Sequence, residues 1–253
     1  MNYERKRESY AVDISQLYKS FQGTPGFVLE DLNMKVSEGE FVAIVGASGC
    51  GKSTLLNIIS NLDKQTSGEI ATSSKPTLLF QESALLPWLN ALANVELPMK
   101  LNGVEKEERR AKALELLELV NLTSSASKMP HELSGGMRQR VAIARALAQD
   151  SKILLMDEPF AALDAITRDL LHDELSRIWR ARDLTIIFVT HNVREAIRLG
   201  QRVLMMSSRP GRFIAEWNID IKEPRRMDSP EIAEMARKVT DELRREIKRH
   251  AYA

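Results

Sequence analysis

A chain of 253 residues, 43% hydrophobic and 28% charged, has the makeup of a soluble globular protein with length for one large domain or two small ones. Its 36 basic and 35 acidic residues leave a formal net charge of +1, which argues against a broad nucleic-acid footprint. The single cysteine, Cys50, excludes an internal disulfide and fits a reducing compartment, and no apolar run approaches the roughly 18 residues of a membrane helix.

The opening "MNYERKRESYAVDI" is charged and has no apolar signal core. Alternation in "AVDISQLYKSF" and "VLEDLNMKVSEGE", with the turn "GTPG" between them, predicts an N-terminal β-rich segment. "EFVAIVG" is an apolar β-branched run ending at glycine, and "KSTLLNIISNL" reads as a helix. The polar stretch "DKQTSGEIATSSKP" then leads to a short strand, "TLLFQ". From Leu86 to Leu119 the pattern is helical, with Ala111, Leu114, Leu117 and Val120 on one predicted face and Glu105–Arg110 on a solvated one. A helix follows "LSGG", then the buried-type strand "KILLMDE", a helix over about Ala165–Ala181, the strand "TIIFVTH", the helix "VREAIRLG" and the strand "RVLMMSS". Apolar strands alternating with helices predict an α/β fold with a mainly parallel sheet covered on both faces. Ser229-Pro230 opens a last helix, to about 252, rich in Arg and Lys and expected at the surface.

Three segments carry chemistry. Gly46-Ala47-Ser48-Gly49-Cys50-Gly51-Lys52-Ser53 matches the phosphate-loop pattern in strand–loop–helix context. Its backbone would wrap phosphates, Lys52 would reach the β and γ phosphates, and the Ser53 hydroxyl would ligate Mg²⁺. A thiol reagent on Cys50 and bound nucleotide should therefore exclude each other. Asp157-Glu158 ends a buried strand, which points both carboxylates at the edge where open α/β sheets bind ligands. Asp157 would hold Mg²⁺, through water, and Glu158 would orient or polarise the attacking water. Gln81 and His191 also end strands, so Gln81 could reach Mg²⁺ or the water, and His191 the γ-phosphate. The third segment is Ser134-Gly135-Gly136, which opens a helix as an anion site does but brings no lysine.

Together these residues resemble the ATP-binding cassette (ABC) ATPases over roughly the whole chain to Pro224. Gly46–Thr54 matches Walker A, so Thr54 joins the ATP-binding set. Gln81 matches the Q-loop, Leu133–Gly136 the signature, Ile153–Asp157 with Glu158 Walker B, Ala162-Leu163-Asp164 the D-loop, and His191 the switch histidine. Phe21 matches the adenine-stacking aromatic, with Tyr18 its neighbouring candidate. Met137 departs from the usual glutamine, and Ala161 from a commoner glycine or serine. The resemblance implies one nucleotide-binding domain over 1–253, with an N-terminal antiparallel β subdomain and a helical signature-bearing subdomain at about 86–148. It also implies ATP and Mg²⁺ as cofactors and two copies packed head to tail, each ATP lying between one copy's Walker A and the other's signature. Ser134, Gly135, Gly136 and Asp164 would then serve a partner's nucleotide, and the missing lysine comes from that partner.

"LLPWLNALANVELPM", "MDEPFAALDAITRDLL" and "SSRPGRFIAEWNIDI" resemble the ATPases of nitrate, sulfonate, taurine and bicarbonate importers. That implies a peripheral subunit on the cytoplasmic face of the inner membrane, driving a separate permease loaded by an extracytoplasmic solute-binding protein, with no nucleic acid as partner. The segment Pro87–Met99 would help receive the permease, or serve as plain subdomain core. The alternative is a non-transport ABC ATPase acting on nucleic acid or ribosomes.

Overall fold

The computed structural model describes residues 10–251. Among them the strands form two sheets. In the smaller, β1 (Tyr10–Lys19) pairs antiparallel with β2 (Leu29–Ser37) on one side and β4 (Ser67–Thr72) on the other. Alternation explains β2, where Leu32, Met34 and Val36 are buried while Asp31, Asn33, Lys35 and Ser37 are exposed, and Ala11, Val12 and Ile14 of β1 are buried with them. The polar stretch "DKQTSGEIATSSKP" carries no strand pattern, yet β4 lies there. Ile70, opposite Ile14, is its one partly buried apolar contact, and its ladder with β1 replaces the missing apolar pattern.

The larger sheet has the order β5-β6-β7-β3-β8-β9. Its parallel part comprises β5 (Thr77–Leu79), β6 (Ile153–Asp157), β7 (Thr185–Val189), β3 (Phe41–Gly46) and β8 (Arg202–Met206). Both faces are covered, which is why these runs are continuously apolar. Phe41, Ala43 and Val45 pack with Leu154, Met156, Ile186 and Phe188 in one core. Val42 and Ile44 join Leu155, Ile187, Val189 and the buried side of α1 (Lys52–Ile59) in the other. The antiparallel edge strand β9 (Phe213–Asn218) has half-buried Phe213, Ala215 and Trp217 alternating with exposed residues, a period-2 signal inside the quoted "SSRPGRFIAEWNIDI" that the sequence reading did not assign.

The helical part contains α2 (Ala91–Leu101), α3 (Lys106–Leu119) and α4 (Gly135–Leu147). On α3 the buried face is Ala113, Leu116 and Leu117, continued by Val120. The predicted Ala111 is exposed and Leu114 only half-buried, because the stripe against α2 and α4 is rotated from the one chosen by apolar spacing. α5 (Ala165–Arg182) and α6 (Val193–Leu199) complete the crossovers. The final helix, α7 (Pro230–Ala251), is more than a surface helix: Ile232, Ala236 and Val239 are buried in the main core, against α6. Its basic residues occupy the remaining face, the amphipathic arrangement expected of a docked helix.

Candidate nucleotide site

Parallel strands bring their carboxyl ends to one edge, and the β5-β6-β7-β3 order sets the candidate residues side by side there. The phosphate loop runs from the end of β3 to the start of α1. Gly51 has φ 105°, and a Cβ there would stand 2.5 Å from Leu29 Cδ2, so only glycine lets the loop close against β2. Lys52 is buried, and its Nζ donates to the carbonyls of Gly46 (3.0 Å) and Ala47 (2.9 Å). The Cys50 amide also donates to Ala47. Its thiol is 1% exposed, and burial pushes it up against the opposing pull of Lys52. The expected contest between a thiol reagent and nucleotide is corrected by this burial: the side chain faces the core, not the loop's concave face.

Asp157 ends β6. Burial raises its carboxyl above the ordinary value despite a hydrogen bond from Ser53. Glu158 follows at φ 46°, unusual for a side chain of its size, with its amide donating to Val189 O at 2.9 Å. That turn sends its carboxylate to His191, whose Nδ1 lies 2.8 Å from Glu158 Oε2. β7 ends at Val189 and β5 at Leu79, so His191 and Gln81 each sit two residues past the strands the sequence had them close.

A cleft of about 480 Å³ is lined by Phe21, Ser48, Gly49, Gly51, Lys52, Ser53, Thr54, Gln81, Asp157 and Glu158. Val28 and Arg209 line it too, and sequence reading missed both. Arg209 follows β8, the neighbour of β3, so only the strand order could have found it. Tyr18 instead packs edge-on to Phe27, with ring centroids 5.3 Å apart, while Phe21 is 42% exposed beneath Lys19. A larger cleft of about 640 Å³ along the outer side of α5 contains no strand-end residue.

Ser134, Gly135, Gly136 and Asp164 do not line the nucleotide-sized cleft. Ser134 caps α4 by accepting from the Met137 amide, and Asp164 caps α5 by accepting from that of Thr167. The two caps adjoin. A Cβ on Gly136 would meet Thr167 Cγ2 at 2.4 Å, whereas one on Gly135 would find nothing nearer than Leu163 at 3.7 Å. Gly136 is therefore a packing glycine, and Gly135 an open one.

The donor set fits a magnesium–nucleotide complex. Ser53, Asp157 and Gln81 are hard oxygen donors, and a Lys52 that already holds two carbonyl oxygens is a ready phosphate ligand. Among the described residues no group of three His, Cys, Asp or Glu forms a metal cage. Mg²⁺ needs none, since it is commonly held by one or two protein groups together with phosphates and water.

The fold and this edge define a P-loop NTPase. The sequence profile described as "ABC transporter" matches residues 29–161. An uncharacterised ABC transporter ATP-binding protein of Methanocaldococcus jannaschii is 41% identical over 96% of this chain and 95% of its own length. The nitrate import ATP-binding protein NrtD of Synechocystis is 44% identical over 83% of each chain, and the taurine import ATP-binding protein TauB of Rhizobium johnstonii 44% identical over 81% of this chain and 82% of its own. Among solved structures, a dimeric post-hydrolysis ATP-binding cassette bound to ADP and Pi superposes with a TM-score of 0.74 at 36% identity, covering 83% of this chain and all of that one. The chain belongs to the ABC transporter family, among its ATP-binding ATPases. No helix among the described residues is long and apolar enough to cross a membrane.

Proposed function

We propose that this chain is the ATP-hydrolysing subunit of an importer for a small anion, of the class of nitrate, a sulfonate, taurine or bicarbonate, working as a head-to-tail pair of copies on a separate permease. The observation that carries the ATPase half is the 2.8 Å pairing of His191 with Glu158 at the rim of a cleft that also presents Lys52, Ser53 and Asp157. Relatives named for taurine and nitrate import support the solute class.

In this reading Lys52 exchanges its two carbonyl partners for phosphate oxygens. Ser53, Asp157 and Gln81 would hold Mg²⁺, which would supply neutralisation of the phosphate charge. Glu158 accepts a hydrogen bond from the attacking water and draws off its proton, while His191 fixes that carboxylate and faces the γ-phosphate. Phe21 offers a face for adenine. Ser134, Gly135 and Gly136, beside Asp164, close the partner copy's cleft with bare amides at a helix start, the positive end of α4. Support for the pair is the exposed apolar turn next to these caps, where Ile166 is 76% and Leu170 56% exposed. The chain would act as one nucleotide-binding domain, with 86–148 as the subdomain that meets the permease. Trp88, 69% exposed just past Gln81, is the prime contact there. Such a subunit sits peripherally on the cytoplasmic face of the inner membrane, with the extracytoplasmic binding protein acting on the permease.

Steady-state ATPase assays test the hydrolytic assignment. Glu158→Gln should keep nucleotide binding yet lose ~100-fold or more in turnover, the loss expected for a positioned base. A Glu158→Gln chain that hydrolyses ATP at the wild-type rate would overturn it.

A further inference from the structure

Behind the His191 loop lies a buried carboxylate that the hydrolytic reading does not use. Glu195, on the first turn of α6, is 4% exposed. Its Oε2 accepts from the Thr190 hydroxyl at 2.7 Å, and Thr190 Oγ1 in turn accepts from the Asn192 amide at 3.0 Å. The two residues flanking His191 are thus tied to one carboxylate. The other oxygen, Oε1, lies 3.3 Å from Arg168 Nε and 3.5 Å from Nε2 of the fully buried His172, both on α5. Arg168 also donates through Nη2 to the carbonyl of Leu163 at 2.8 Å, one residue before Asp164. The edge of the His172 ring packs on Phe160, two residues past Glu158, with centroids 5.1 Å apart.

Burial alone would push the Glu195 carboxyl up. His172, Thr190 and Arg168 more than offset it, so the group lies below its ordinary value. This buried anion takes one side-chain hydrogen bond, from Thr190, and is otherwise faced at ion-pair distance by Arg168 Nε and His172 Nε2. Both of those atoms are buried and hydrogen-bonded to nothing else, so a shift of any of the three is costly to the others.

We propose that Glu195 is a positioning residue for hydrolysis, clamping the Thr190–Asn192 loop to α5 so that His191 stays in register with Glu158 and with the Leu163–Asp164 turn. The proposal rests on the role assigned to His191 above. It makes one carboxylate the common anchor of both members of the Glu158–His191 pair, since α5 reaches the Glu158 side through Phe160 and Leu163. It also gives the Asp164 turn, on the face offered to a second copy, a direct path to the switch histidine through Arg168.

Thr190 gives the cleanest handle, because valine keeps its shape and removes only the hydroxyl. kcat and KM for Mg-ATP should be measured for Thr190→Val, Thr190→Ser, His191→Ala and the double variant Thr190→Val/His191→Ala. Thr190→Val should lower kcat by about tenfold, the scale of one displaced buried hydrogen bond, with KM nearly unchanged. Thr190→Ser should restore kcat. The double variant should be no slower than His191→Ala, since Thr190 and Glu195 act through that histidine. Glu195→Gln, if it folds, should behave as Thr190→Val does. A wild-type kcat in Thr190→Val, or losses that multiply in the double variant, would overturn the proposal while leaving the ATPase reading intact. His191→Ala at the wild-type rate would overturn it as well. Absence of Mg-dependent hydrolysis in the wild-type chain would instead sink the functional reading itself.

Discussion

Lys52 and Cys50 stand two residues apart and meet in the interior, with the Lys52 Nζ donating toward the buried Cys50 Sγ at 3.8 Å. The lysine ammonium is held by the Gly46 and Ala47 carbonyls, while the thiol is sealed in the core cluster that includes Met206. Because burial keeps the thiol protonated and covered, and the thiolate is the reactive form, Cys50 should resist a bulky maleimide at neutral pH with or without nucleotide. Mass spectrometry should find it labelled only after unfolding. Rapid labelling of the native chain, suppressed by ATP, would show that the loop presents the thiol outward instead. The motif was fully legible as a string, but which side chains of a wrapped loop face in is set by packing from β2 and β8. That information lies outside the motif.

Among the elements, α4 joins the two halves of the chain through Arg145. Its Nη1 donates to Ala84 O at 2.7 Å and its Nη2 to Ser83 O at 2.8 Å, pinning the segment just past Gln81, where Ala84 sits at φ 44°. Arg145→Ala should lower stability by about 1–2 kcal/mol in urea titrations, and Arg145→Lys should recover only part, since one ammonium cannot fork across both carbonyls. An unchanged unfolding midpoint in Arg145→Ala would show that the fork carries no stability. The strands whose two faces are buried (β3, β6, β7 and β8) could be read from composition alone, and with them the placement of Asp157 and Glu158. β4 could not, because Ile70 is its one apolar contact and its pairing is decided by β1. The buried face of α7 was legible, since Ile232, Met235, Ala236, Val239 and Leu243 recur at helical spacing; the many Arg and Lys residues beside that stripe are what suggest a surface helix instead. Arg209 left no signal in the string, because it reaches the site only once β8 lies beside β3, and Glu195 left none because its partners Arg168 and His172 come from α5.

At the scale of the whole molecule, the proposed function has one chain present half a nucleotide site in its cleft and, on a separate surface, the half another copy would need. Gly135 lies on that second surface, where a Cβ would meet only Leu163 and Arg138, at ordinary contact distances of 3.7 and 3.9 Å, and so would clash with nothing in its own chain. Gly136 differs, since a Cβ would strike Thr167, and Gly136→Ala should therefore lower the stability of the isolated chain while Gly135→Ala leaves it unchanged in thermal melts. The central claim is that a second copy's signature completes the cleft, and blocking hydrolysis should trap that state. The direct measurement is the mass of the Glu158→Gln chain by light scattering on a sizing column, in Mg-ATP and in Mg-ADP. It should run at twice the chain mass in ATP and at the single-chain mass in ADP, and adding Gly135→Asp should return it to the single-chain mass in ATP while fluorescent-nucleotide binding persists. A Glu158→Gln chain that stays single in Mg-ATP, or a dimer indifferent to Gly135→Asp, would contradict the shared site.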